Sequence, residues 1–285
     1  MTEGSARDGF LGRMRRAREG RGQGGNASAE MPFLDHLEEL RWRILWSLLA
    51  LLTLSGLGFW LVQHFDALHL LIRPAQPYIG DKLYFLNLTE PFFVTFKLGV
   101  LVGFLLAFPI IAYQVWAFVS PALLKRERRA IVPALYMGLV LFCLGVALAY
   151  FYVIPATAKF MMGFAQGSLA PMLTVDKYIA LVTKVLVAFG VVFELPVVVL
   201  VLSALGLITS RFLARQRRYA IAIMVLAASM LTPGDAITVT VFMMVPLVLL
   251  YELSIGLARL VERGRAKAAA ARAAEDAADA LAEVP

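Results

Sequence analysis

"FLDHLEELRWRILWSLLALL", residues 33–52, packs three acids and two arginines into the ten positions before a long apolar run. Entry points into lipid-spanning helices ordinarily carry positive charge alone on the cytoplasmic side, so Asp35, Glu38 and Glu39 need a reason to be there. Asp35 and Glu38 stand three apart, the spacing of an N-cap and its reciprocal partner at the third helical position. All three acids gain from the positive end of a helix that starts at this point. Glu39 is left over. It is either the i,i+4 partner of Arg43, worth a few tenths of a kcal/mol in an isolated helix, or a carboxylate available to a ligand.

The rest of the chain sets the class. Its 285 residues are 60% hydrophobic and 16% charged, with a mean hydropathy of +0.76, far too apolar for a soluble domain of this size. An all-α polytopic membrane protein is expected. A bilayer core of about 30 Å needs about 20 apolar residues per helix, and six candidate spans lie near 42–63, 92–119, 130–155, 179–205, 217–231 and 236–257. With the N-terminus placed in the cytoplasm, the inner segments hold 21 of the 27 Lys and Arg residues, including Lys125, Arg126, Arg128 and Arg129 in the first inner loop. The outer loops, 64–91 and 156–178, hold only Arg73, Lys82, Lys159 and Lys177. The positive-inside rule therefore puts both termini in the cytoplasm. Residues 1–30, rich in Gly and Arg, read as a disordered, solvated tail rather than a nucleic-acid-binding arm. Residues 31–263 form the transmembrane domain, and 264–285 an Ala-rich cytoplasmic tail.

Three prolines, Pro109, Pro196 and Pro246, fall inside the second, fourth and sixth spans and should bend them. Glu194, in "VVFELPVVV", is the deepest acid in the chain. An ionisable group at that depth is a functional candidate, and burial favours its neutral form; it serves as a structural polar contact or in a proton-linked step. Gln114 is a second polar residue within a span. Lys97 and Lys184 lie within two turns of the outer ends of their helices, where snorkelling to the interface is expected, and Glu252 near the inner end of the last helix is expected among headgroups. Cys143 reads as a small buried hydrophobe. Between Tyr219 and Leu231 there are only 13 uncharged residues, about 20 Å of helix, too short for the hydrocarbon core. The turn "LTPGDA" follows, with Asp235 placed to cap the sixth helix.

Three functional classes can be weighed. No HExxH, Gly-x-Ser-x-Gly or intramembrane Gly-x-Gly-Asp is present, so no enzyme, cofactor or metal is expected. A proton-coupled carrier of a small solute would show paired interrupted helices in two repeats, and no repeat is visible. A receptor for another polypeptide predicts acids among the inner basic groups, which "DHLEELRWR" and "SPALLKRERR" both supply.

On those residues the chain resembles the TatC family of the twin-arginine protein translocase. The matching stretches are "HLEELRWR" (36–43), "EPFFVTFKL" (90–98), "YQVWAFVSPALLKRERR" (113–129), "AFGVVFELPV" (188–197) and "LTPGD" (231–235). The resemblance implies a kinked, cup-like bundle of six helices with a short fifth and sixth. It implies a receptor for signal peptides with paired arginines, working with single-span TatA- and TatB-type partners and with further copies of itself. Transport of folded proteins in that family draws on the proton motive force. Glu39 and Glu127 match its signal-contacting acids, Arg41, Phe118 and Pro121 their neighbours, Glu194 its intramembrane acid, and Pro74 and Asp235 its outer-loop positions. The chain departs in its Arg/Gly tail and in Gly234, where a second proline is familiar.

The short fifth helix makes a direct prediction. Cysteines placed at Thr232 to Asp235 should react with a membrane-impermeant maleimide from outside much more slowly than cysteines in the 64–91 and 156–178 loops. Equal rates would mean that the hairpin reaches the outer surface.

Overall fold

The computed structural model describes residues 27–80, 83–120, 131–163, 172–231 and 237–282. The chain falls into two compact units, 1–46 and 47–285. Within the first, the described residues are the opening turns of helix α1 (Ala27–His64). Asp35 thus lies inside a helix that begins eight residues before it. The expected N-cap role is overturned: the helix already runs through Ala27, Ala29, Glu30 and Met31, which favour helix, and continues past Pro32 to Asp35.

The second unit continues with two short helices, α2 (Ala67–Ile72) and α3 (Gln76–Ile79), then α4 (Glu90–Val119) and α5 (Ile131–Leu148). A π-helical turn, Ala149–Val153, joins α5 to α6 (Ile154–Gly163). After these come α7 (Val175–Val192), α8 (Leu195–Ala204), α9 (Ser210–Arg215), α10 (Arg217–Leu231) and α11 (Ile237–Ala282). Among the described residues the sole strand-like pairing is an isolated bridge between Tyr84 and Thr174. Among the described residues, five stretches are long and apolar enough to cross a membrane: His36–His64, Glu90–Val119, Pro133–Gly163, Val175–Ala204 and Met243–Ala271. The protein is an all-α polytopic membrane protein. Helix α10, with 15 residues, is about 22 Å long, and residues 232–236 that follow lie outside the described residues.

The prolines act differently from one another. Helices α4 and α11 run through Pro109 and Pro246 without interruption. Pro196 splits the fourth span at Phe193–Glu194: the Glu194 N–H reaches back only to the Val191 carbonyl, and the Glu194 carbonyl starts α8 by accepting from Val197 and Val198. Pro155 has no N–H to offer, and the turn before it widens so that the Ile154 N–H reaches the Ala149 carbonyl.

The core is built on α7. Ile179, Val182, Val185, Leu186 and Phe189 are buried against Val94, Leu98 and Leu101 of α4 and Ala149 and Val153 of the π turn. Lower down, Val199 of α8, Leu213 of α9 and Ile255 and Ala258 of α11 form a separate apolar cluster. Small residues set the closest approaches. A Cβ on Gly103 would lie 2.5 Å from the Ser55 nitrogen, and one on Gly58 would lie 2.7 Å from the Gly103 nitrogen. Helices α1 and α4 therefore cross backbone to backbone. Cys143 is exposed, not buried: an apolar helix has no sequence mark for its outward side when the outside is lipid.

Gly103→Val should lower the unfolding free energy by about 1–3 kcal/mol through overpacking, read as a fall in thermal midpoint of the detergent-purified protein. Gly56→Ala is the control, because nothing lies within 4 Å of its Cβ position and its midpoint should hold or rise.

Candidate functional site

The first candidate group sits on the opening turns of α1. Arg43 Nη2 donates to Glu39 Oε1 at 2.9 Å, and His36 Nδ1 stands 4.0 Å from Glu39 Oε2. The Glu39 side chain stays 33% exposed. The i,i+4 reading of Glu39 is thus realised, yet a partly exposed pair of this kind contributes at most about 1 kcal/mol. Arg41 and Trp42 are exposed on the same turns.

Phe118 and Gln114 are one turn apart near the end of α4, both half-buried, flanking the buried Trp116 that packs with Ala134 and Val197. Pro121, Glu127 and Asp235 lie outside the described residues, as does most of the Arg/Gly tail. Pro74 is half-buried in the turn between α2 and α3. That turn hangs from two tyrosines on other helices: Tyr178 Oη donates to the Leu71 carbonyl at 2.8 Å, and Tyr150 Oη to the Leu70 carbonyl at 2.6 Å. Sequence reasoning passed over both tyrosines. A tyrosine inside an apolar span was the available signal, since a buried hydroxyl requires a partner.

Glu194 occupies the break between α7 and α8. Its Oε1 is buried without a hydrogen-bond partner. Its Oε2 fills the space above Gly138 of α5, where an added Cβ would come within 2.8 Å. The glycine leaves a niche for the carboxyl, and the proline-induced break frees backbone polarity beside it.

Other charges find partners that were not anticipated. Lys97 Nζ meets Asp176 Oδ1 at 2.6 Å, joining α4 to the first turn of α7. Glu252 accepts from Arg217 Nη2 at 2.8 Å while nearly half of its side chain stays exposed. Glu262 takes the N–H and the hydroxyl of Ser210, each at 2.6 Å, and Arg265 reaches the Ser203 carbonyl at 3.2 Å. The C-terminal part of α11 thereby clamps the α8–α9 connection. Among the described residues no group of three or more His, Cys, Asp or Glu side chains could hold a metal ion.

Fold and site together define a polytopic helical membrane protein whose polar groups gather at helix breaks and helix ends. A sequence model of the family described as "TatC: Sec-independent protein translocase protein (TatC)" matches residues 35–246. The chain is 42% identical over 236 residues to a "Sec-independent protein translocase protein TatC" of Aquifex aeolicus (strain VF5), covering 82% of this chain and 97% of that one. It is 33% identical over 239 residues to the protein of the same description from Escherichia coli (strain K12), covering 82% and 91%. A solved structure described as "Crystal Structure of Twin Arginine Translocase Receptor- TatC" superposes with a TM-score of 0.70 at 41% identity, over 80% of this chain and 99% of that chain. The chain belongs to the TatC family of Sec-independent protein translocase proteins. The resemblance drawn from the motifs stands, and the solute-carrier alternative is not favoured.

Glu194→Gln should keep most protein export, because Gln retains length and a hydrogen-bonding terminus. Glu194→Leu should lose most of it. Export assays on both, at matched membrane levels, check this; equal severe loss would show that a titrating carboxyl is required.

Proposed function

We propose that this chain is the receptor for twin-arginine signal peptides and the core subunit of a translocase that moves folded proteins across the bacterial cytoplasmic (inner) membrane on the proton motive force. In this reading it is multi-pass with six spans and both termini cytoplasmic, supported by the distribution of Lys and Arg. Its domains are a 1–30 tail, the 31–263 membrane region and a 264–285 tail. It works with TatA- and TatB-type single-span subunits and with copies of itself, contacts membrane lipid, binds no nucleic acid, and performs no catalysis and uses no cofactor.

Glu39 and Glu127 bind the paired arginines, with Arg41, Phe118 and Pro121 bordering the patch. Glu194 and Gln114 provide polarity within the membrane, and Pro74 and Asp235 act in the outer loops. The observation that carries the reading is Glu39 itself: a carboxylate on the family's opening motif, partly exposed, whose contacts among the described residues are the helical neighbours Arg43 and His36. A guanidinium fork offers two parallel N–H donors to a carboxylate, and such charge-assisted bonds are about twice as strong as neutral ones. An incoming arginine can therefore outcompete Arg43. Lysine at the same signal position is the poorer ligand, since it presents a point charge rather than a fork.

Glu39→Gln and Glu127→Gln should each weaken binding of a twin-arginine peptide on the order of tenfold or more, with membrane levels unchanged. Arg43→Gln should change it by less than about fivefold. A double-mutant cycle with Arg→Gln in the peptide measures the coupling; additive losses would place recognition elsewhere.

A further inference from the structure

The segment just before α4 is unusually apolar for a connection between spans. From Leu83 to Phe96 the chain reads "LYFLNLTEPFFVTF", with Glu90 as its one charged residue. Leu88 is 91% exposed, and Phe85 and Leu86 are more than half exposed. Such side chains in water would be a liability on this scale.

The polar groups of the segment are turned inward. The Leu86 N–H donates to Glu90 Oε2 at 3.0 Å, and Asn87 Nδ2 to Glu90 Oε1 at 3.1 Å, so both carboxylate oxygens are engaged. The Glu90 N–H donates to the Asn87 carbonyl at 3.1 Å. Tyr84 is tied at both backbone groups to the start of α7, its N–H to the Leu173 carbonyl and its carbonyl to the Val175 N–H. The turn is thus pinned in place by these hydrogen bonds, with its apolar side chains exposed.

These side chains continue a stripe down α4. Phe92, Phe93, Phe96 and Val100 are all exposed and share one helical face, the one this helix turns outward from the bundle. Depth follows from length. The 30 residues of α4 make about 45 Å of helix, against about 40–45 Å for a bilayer with its headgroups. Glu90 then sits at headgroup level, and the Tyr84–Leu88 turn lies beside it. Lys97 lies about 10 Å deeper along the helix, near the hydrocarbon edge, where its pairing with Asp176 offsets the cost of a lone ammonium.

We infer that Tyr84–Leu88 is a lipid-interface anchor, with Phe85, Leu86 and Leu88 inserted at the headgroup–acyl boundary of the leaflet next to the 64–91 loop. Aromatic and large aliphatic side chains favour that layer. The anchor sets the height of the connection that also carries α2, α3 and Pro74.

The test uses the whole chain in phosphatidylcholine vesicles, with Cys143→Ser and a nitroxide on Leu88→Cys. Collisions with oxygen should exceed those with a water-soluble nickel chelate severalfold relative to a label at Arg73. Hydroxyl-radical footprinting of the unaltered chain in the same vesicles is a second readout that needs no substitution, and Phe85 and Leu88 should remain unoxidised. Dominant nickel collisions with oxidised Phe85 and Leu88 would overturn the inference in favour of a water-exposed turn. Low collision rates with both reagents would overturn it in favour of a protein-covered surface, such as a second copy of this chain.

Discussion

Hydrocarbon offers a backbone no hydrogen bonds, so each N–H and C=O at membrane depth has to be satisfied by the chain itself. The structure is organised by where that requirement is met and where it is relaxed. Continuous helices meet it over most of α1, α4 and α11, although Pro109 and Pro246 each withhold the N–H that the carbonyl four residues earlier, of Leu105 and Phe242, would otherwise take. Two further sites relax it by changing the helix itself. At Pro155 the preceding turn widens to π geometry, and at Pro196 the fourth span stops and restarts around Glu194. The second break places a carboxyl in the interior with a glycine opposite to make room. A proline and a glycine on different helices thus create the polar niche, and the acid occupies it.

The same constraint explains how the loops are held. Backbone carbonyls near Pro74 are reached by Tyr150 and Tyr178, the Tyr84 backbone pairs with the start of α7, and Ser210 is gripped by Glu262. Each contact joins residues distant in the chain. Together they turn a set of membrane helices into a scaffold with defined connections on both sides. None of the partly exposed ion pairs is strong on its own; position, not strength, is what they supply.

The Glu39–Arg43 pair is a partly exposed contact within one helix. In the proposed role Glu39 has to be oriented when empty yet available when its ligand arrives, and a one-turn helical pair suits both, shielding and aiming the carboxylate at a cost to the ligand of no more than about 1 kcal/mol.

The sequence by itself determined the class, the position of several apolar helices and the family. The apolar runs at 92–119 and 217–231 coincide almost residue for residue with Glu90–Val119 and Arg217–Leu231, because transfer to lipid is a property of each residue summed along a helix. It also carried the candidate acids Glu39 and Glu194, since charge inside or beside an apolar run is conspicuous. Tertiary structure alone decided which side of each helix faces lipid, as at Cys143, and who partners whom, as with Lys97 and Asp176 across 79 positions. It decided too that Gly58, Gly103 and Gly138 are closest-approach residues, and that Asp35 is interior to its helix. Hydropathy records depth along a helix but carries no information about rotation around it, and pairing between helices depends on that rotation.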